Sequence, residues 1–426
     1  MSLAQQQELE NNYIMHTYAR KPVMFTRGEG LYLYDDEGKR YLDFLSGIGA
    51  VSVGHGNPAV ASEIALQASR LIHVSNYFYI EGRGELAARI NGLLCASEAS
   101  KNTVWKTFFA NSGAEANEGA IKIARKYGKE KLGGAHTIIT AKQSFHGRTL
   151  ATLAATGQEA KQKIFAPMPA GFVHVTLNNV EELRACIDSL NEASGASAPC
   201  ALMLECIQGE RGVWPCTLEY LTAARKLTRE CGMLLIIDEV QTGFFRTGKY
   251  PFAFMHFGIC PDVVTMAKGI ANGVPMGAVA ARDSLADVLA PGEHGTTFGG
   301  SPLAIAAANA TIDELIERDT ATRVTQLGAY FALGLSRLPK VSELRGKGFM
   351  LAIQLTEPIA VAVVETALQQ GLICNAIGEE TIRFLPPLVA TDEDIDEALA
   401  ILKGVLEGIS APPISGPSIS GSSEVG

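Results

Sequence analysis

The sequence predicts an α/β fold: a large domain with a mostly parallel central sheet, joined to a smaller α+β domain formed by both chain ends. Three observations carry this. The middle of the chain alternates short apolar runs with amphipathic helical patterns, the signature of strands linked by helical crossovers. The apolar runs are continuous rather than alternating, as strands covered on both faces are. The two ends carry a different pattern, a hairpin at one and long helices with isolated apolar segments at the other.

In chain order, residues 1–55 supply the first part of the smaller domain, with Tyr32–Leu42 reading as a hairpin around Asp36-Glu37-Gly38. Residues 56–300 form the large domain. Its strands are read at Val104–Phe109, Thr137–Thr140, Ala201–Ile207, Met233–Asp238, Val263–Ala267 and Gly277–Ala281. Between them, Ala116, Ala120, Ile123 and Tyr127 share one helix face, and Leu221, Ala224, Thr228 and Cys231 another. Residues 301–410 complete the smaller domain. An Ala-rich helix begins near 302, followed by the apolar segments Phe349–Leu355 and Ile382–Leu385. A last helix, Asp392–Ile409, is capped by Thr391 and repeats Ile395, Leu399, Leu402, Leu406 and Ile409. The tail 411–426, rich in Pro, Gly and Ser, is expected to be disordered.

With 426 residues and 47% hydrophobic composition, the chain has ample core for two or three domains. A net charge of −9 argues against a nucleic-acid binder, whose footprint is basic. No run approaches the roughly 18 apolar residues of a membrane span, and the first 30 residues carry charges in place of a signal peptide's apolar core. Eight cysteines without a C-x-x-C pair point to free thiols in a reducing cytoplasm, and neither they nor the eight histidines cluster as a metal site does.

Four places carry chemistry. Lys268 follows the apolar run Val263–Ala267 and precedes glycines, at a strand end; position alone favours a solvated loop lysine. Asp238 ends the run Met233–Ile237, where open α/β sheets bind ligands, and a carboxylate there needs a partner; a helix cap or structural ion pair is the alternative. The stretch Phe109-Ala-Asn-Ser-Gly-Ala-Glu-Ala116 passes from strand end to helix, leaving N–H groups and the Ser112 hydroxyl for an anion such as phosphate, although capping alone explains it. Ser144-Phe-His-Gly-Arg-Thr149 places an aromatic beside a cation after another strand. Together these supply a Schiff-base amine, an anion for a pyridinium nitrogen, a phosphate cradle and an aromatic lid, the set that pyridoxal phosphate requires. A nicotinamide dehydrogenase lacks support, since no G-x-G-x-x-G follows a strand.

The segments NSGAEANEGAIKIAR, FHGRTLATL, ECIQGERGV, IIDEVQTGFFRTG, AKGIANGVPMGA, HGTTFGGSPLA and IRFLPPL resemble, in order, the motifs of the class III (ω-amino-acid) aminotransferases, from about residue 15 to 408. That resemblance implies the type I fold of pyridoxal-phosphate enzymes, with pyridoxal 5'-phosphate as cofactor and Lys268 as the lysine that holds it and shuttles protons. It also implies that Asp238 pairs with the ring nitrogen, Gln241 lies near the ring hydroxyl, and Val240 and Phe145 flank the ring. Ser112, Gly113 and Ala114 hold the phosphate, and Thr297 reaches the phosphate of a partner subunit, so a homodimer with shared active sites is expected. Arg148, Glu210 and Arg383 bind substrate: Glu210 masks Arg383 until a diacid arrives, and Arg148 holds the distal carboxylate.

Within the class, Ile72-His-Val-Ser-Asn76, Phe145-His-Gly-Arg148 and Asn375-Ala…Arg383-Phe-Leu-Pro-Pro387 fit the branch acting on N2-acetylornithine, with enzymes for succinylornithine, ornithine or 4-aminobutyrate as neighbours. Ile48 stands where ornithine aminotransferases carry a substrate-contacting Tyr, which disfavours free ornithine. Cys206, Arg211 and Phe245 depart from the family pattern, and the last two are expected near the site entrance, where they would reshape the distal pocket.

Overall fold

The computed structural model describes residues 1–193 and 195–409; the tail expected to be disordered lies outside them. Seven strands form the central sheet: β1 (Trp105–Ala110), β2 (Thr137–Ala141), β3 (Phe172–Val175), β4 (Pro199–Leu204), β5 (Leu234–Asp238), β6 (Val263–Met266) and β7 (Gly277–Arg282). Their order is β1-β7-β6-β5-β4-β2-β3, and all pairings are parallel except those of β7, which runs against both β1 and β6. Every residue of β2, β4, β5 and β6 is buried, which is why these strands read as unbroken apolar runs.

Two corrections to the expected strands have local causes. The run Ala201–Ile207 is not one strand: β4 stops at Leu204, and Ile207–Gln208 forms a separate two-residue strand against Trp214–Pro215. The chain turns at Glu205, whose carboxylate accepts from the Phe145 and Gly209 N–H groups at 2.9 and 3.4 Å. β3 escapes the sequence pattern because it is a short edge strand, only its last residue fully buried.

The helix α1 (Gly113–Lys131) covers the sheet with Ala116, Ala120, Ile123 and Ala124. Its N-cap is Ser112, whose Oγ accepts from the Glu115 N–H at 3.2 Å. At the last helix, Asp392–Gly408, Thr391 and Asp394 form a reciprocal capping box.

The hairpin is present, pairing Tyr32 with Leu42, and is extended by Phe25–Glu29 on one side and, in parallel, by Leu372–Ile373 on the other. A second sheet joins Val341–Lys347, Met350–Leu355, Thr381–Phe384 and Asn375–Ile377. We propose the division into residues 1–55 with 301–410 and residues 56–300 as two domains; the pairing of Leu42 and Asp43 with Leu372 and Ile373 supports it.

Parallel strands bring their carboxyl ends to one edge. There lie Asp238 at the end of β5, Lys268 two residues beyond β6 and Ser112 two beyond β1. Because β7 runs the other way, it begins at this edge: Gly277 pairs with Ala110, and a Cβ on it would lie 2.2 Å from the Ser112 carbonyl oxygen. Only glycine lets β7 pass so close beneath the turn.

Candidate active site

Asp238 is 4% exposed. Its Oδ2 accepts from Asn117 Nδ2 and bonds to His146 Nδ1, both at 2.8 Å, and its Oδ1 accepts from the Val240 N–H at 3.0 Å. Burial works against a charged His146, but the hydrogen bond and charge of Asp238 outweigh it and raise the imidazole above its ordinary value. A proton on His146 Nδ1 and the Asn117 amide together keep an acceptor-only carboxylate in place, facing the cavity.

Lys268 is half-buried, on a short 3-10 turn, with its backbone in the left-handed region at φ 46°. A non-glycine residue held there stores strain that the surrounding packing must sustain. Loss of water around the amine, opposed by the charge of Glu210, brings it down to about 8. It therefore reaches the neutral form near physiological pH, as proton transfer requires.

Glu210 and Arg383 meet at 2.6 Å between Oε1 and Nη1. Gln241 bridges them, its Oε1 accepting from Arg383 Nη1 at 3.3 Å and its Nε2 donating to Glu210 Oε1 at 3.4 Å. Arg383 Nε donates to Asn375 Oδ1 at 3.1 Å. Burial disfavours the Glu210 charge, yet the Arg383 guanidinium holds its carboxyl below the usual range.

One cavity of about 380 Å³ is lined by Lys268, Asp238, Ser112, Gly113, Ala114, Phe145, Arg148, Glu210, Val240 and Gln241. Arg383 stands behind its wall through Glu210 and Gln241. Thr297 does not join it; with His73, Asn76 and Arg83 it lines a second cavity.

The expectation for Arg211 and Phe245 needs correcting, since neither lines the Lys268 cavity. The Arg211 guanidinium lies 5.0 Å from the Trp214 ring centroid, beside Arg345 at 4.3 Å, and Phe245 is buried in the core. Ile48 is 42% exposed and also outside the lining, while Ala50 contributes to it. Sequence reasoning missed His146, Asn117 and Glu205. His146 lay inside the quoted FHGR motif, and Asn117 is five residues beyond Ser112 on the helix face that meets β5. Glu205, also in the lining, is pushed up to about 7 by burial.

The aminotransferase class-III family model matches residues 13–406. The chain belongs to the class-III aminotransferases. This aminotransferase is 47% identical over 406 residues to the acetylornithine aminotransferase of Caldanaerobacter subterraneus subsp. tengcongensis, covering 94% of this chain and 98% of that one. It is 46% identical to the acetylornithine aminotransferase of Gloeobacter violaceus, over 94% and 97% of the two chains. Among solved structures, the ornithine aminotransferase of Toxoplasma gondii superposes with a TM-score of 0.87 at 31% identity, over 96% and 95% of the chains. The acetylornithine aminotransferase of Elizabethkingia anophelis gives 0.82, also at 31%, over 96% and 100%.

Class-III aminotransferases use pyridoxal 5'-phosphate, and the cavity of this aminotransferase fits it. The start of α1 offers first-turn N–H groups that no intrahelical carbonyl can reach. A Cβ on Gly113 would stand 2.8 Å from Val240 Cγ1, so the glycine keeps open the space between helix start and Val240. An amine, a fixed carboxylate and this cradle all face the same volume.

Proposed function

We propose that this aminotransferase transfers the δ-amino group of N2-acetylornithine to 2-oxoglutarate, giving N-acetylglutamate 5-semialdehyde and glutamate, an exchange of arginine biosynthesis. The observation that carries the reading is the Glu210–Arg383 contact beside a cavity that Arg148 also lines. A donor with no carboxylate at its reacting carbon needs Arg383 masked, whereas a diacid needs it free. The relatives at 46–47% identity named acetylornithine aminotransferase support the same donor.

Bound pyridoxal phosphate supplies an electron-withdrawing ring that acidifies the C–H bond beside the transferred nitrogen. Ser112, Gly113 and Ala114 would hold its phosphate, and Phe145, Val240 and Gln241 would contact its ring. Asp238, held by His146 and Asn117, would pair with the ring nitrogen and keep it protonated. Lys268 Nζ takes and returns the proton. Arg148 binds the outer carboxylate of either substrate.

The protein acts as a homodimer in this reading, with Thr297 completing the partner's phosphate site. Tyr77, Phe78, Tyr79 and Phe298 support an interface there: they are 94%, 62%, 103% and 62% exposed, on segments that line the second cavity. Eight free cysteines suit the reducing cytoplasm. With 2-oxoglutarate as acceptor, acetylornithine should outperform ornithine and 4-aminobutyrate as donor. Faster turnover of ornithine or 4-aminobutyrate would replace this reading with another member of the class.

A further inference from the structure

Two cations stand near one aromatic ring of the cavity lining. Arg148 Cζ lies 5.6 Å and Lys161 Nζ 5.5 Å from the centroid of the same Phe145 ring. That ring and Arg148 line the Lys268 cavity. Among the described residues neither cation has a hydrogen-bond or ion-pair partner for its side chain. Lys161 lies on the short helix Glu159–Lys163, where the other lysine, Lys163, pairs with Glu159 at 3.0 Å. The anion whose charge reaches Lys161 is Glu210, already engaged by Arg383.

The helix that carries Lys161 is anchored to the fold. Its neighbour Gln162 donates to the carbonyls of Thr156, Leu153 and Ala154 at 2.6, 3.2 and 3.3 Å, pinning the helix. Lys161 is half-buried, and burial together with the Arg148 charge pulls its amine below its ordinary value. Two like charges over one ring repel each other, and each cation–π contact returns only about 0.5–1 kcal/mol. An incoming anion removes that conflict. One carboxylate is shared between the two cations; a second gives each cation a partner of its own.

We propose that Lys161 is a second carboxylate-binding cation beside Arg148, favouring donors that carry two anionic groups at the end remote from the transferred amine. For acylated ornithines, these are donors whose acyl group ends in a carboxylate, such as succinyl, compared with the neutral acetyl. The proposal rests on the reading above for the orientation of the donor, with its α-carboxylate outward on Arg148.

The test uses the holoenzyme and two variants: Lys161→Met, which keeps the stem over Phe145, and Lys161→Arg, which restores the charge. For succinylornithine, kcat/KM should fall about tenfold in Lys161→Met, the scale of one charge-assisted hydrogen bond. Acetylornithine, still held by Arg148, should lose about threefold or less. Lys161→Arg should recover most of the difference. In parallel, N2-succinylnorvaline and N2-acetylnorvaline, which lack the δ-amine and cannot react, are titrated as ligands. Lys161→Met should weaken the first about tenfold and the second little. Equal losses for both acyl groups, or no loss for either, would overturn the role of Lys161. If the enzyme transaminates neither acylornithine while the ligand difference persists, the function reading fails and the role of Lys161 stands.

Discussion

If Glu210 masks Arg383 as proposed, replacing Arg383 should separate the two substrates. The Arg383 side chain is 1% exposed. It donates to Glu210 Oε1 at 2.6 Å, Asn375 Oδ1 at 3.1 Å, the Gly209 carbonyl at 3.2 Å and Gln241 Oε1 at 3.3 Å. Arg383→Ala removes all of these. Breaking a buried ion pair costs ~3–5 kcal/mol, because the surviving charge loses its partner. The Glu210 side chain keeps 28% exposure and regains water, which places the stability loss at the lower end of that range. The kinetic consequence is asymmetric. The inner carboxylate of 2-oxoglutarate loses charge-assisted hydrogen bonds worth ~1.5–3 kcal/mol, a rate loss of roughly 10–150-fold. Acetylornithine, with no carboxylate at the reacting carbon, should lose about threefold or less. The assay is rapid mixing of cofactor-loaded protein with each substrate alone, following cofactor absorbance in a single turnover, at a temperature where circular dichroism shows the variant folded. Equal losses in both halves would refute the switch and leave Glu210–Arg383 a structural pair.

Companion substitutions probe the rest of the site. Lys268→Ala should slow turnover by several orders of magnitude while cofactor still binds through the phosphate cradle; borohydride reduction of the unsubstituted protein should place the pyridoxyl group on Lys268, and a label on another lysine would contradict the assignment. Asp238→Asn keeps the shape but removes the charge facing the ring nitrogen, so half-reaction rates should fall far more than cofactor content; near-normal transamination would exclude the role. His256 is pushed down to about 4 by burial and by the charges of Lys347 and Lys249. The unfolded chain therefore binds the extra proton between about pH 6.5 and 4, and this group's contribution to stability, full above 6.5, is lost as pH falls through that window. His256→Gln should lose less melting temperature than the unsubstituted protein between pH 7 and 5, and an equal loss would show that another group governs the acid limb.

What the sequence determined by itself is local. Lys268, Asp238 and Ser112 were legible because each follows a short buried run, and a buried strand must end where its apolar residues end. The caps at Ser112 and Thr391 were legible because capping joins residues three apart. β3 was not, since an edge strand with one fully buried residue carries too little pattern. Nor was the break at Glu205, where a carboxylate turns back to serve two N–H groups inside an otherwise apolar run. Tertiary structure decided the rest. Asp238 takes its partners from His146 and Asn117, 92 and 121 residues away, and Glu210 meets Arg383 across 173. The fold turned Arg211 onto Trp214 and sank Phe245 into the core, away from the cavity that their positions in the motifs suggested. It also set Lys161 beside Arg148 over a single ring, a pairing that no spacing in the chain announces. Periodicity and capping are fixed by the geometry of one backbone segment, whereas the direction a side chain takes at a turn depends on which distant segment packs against it.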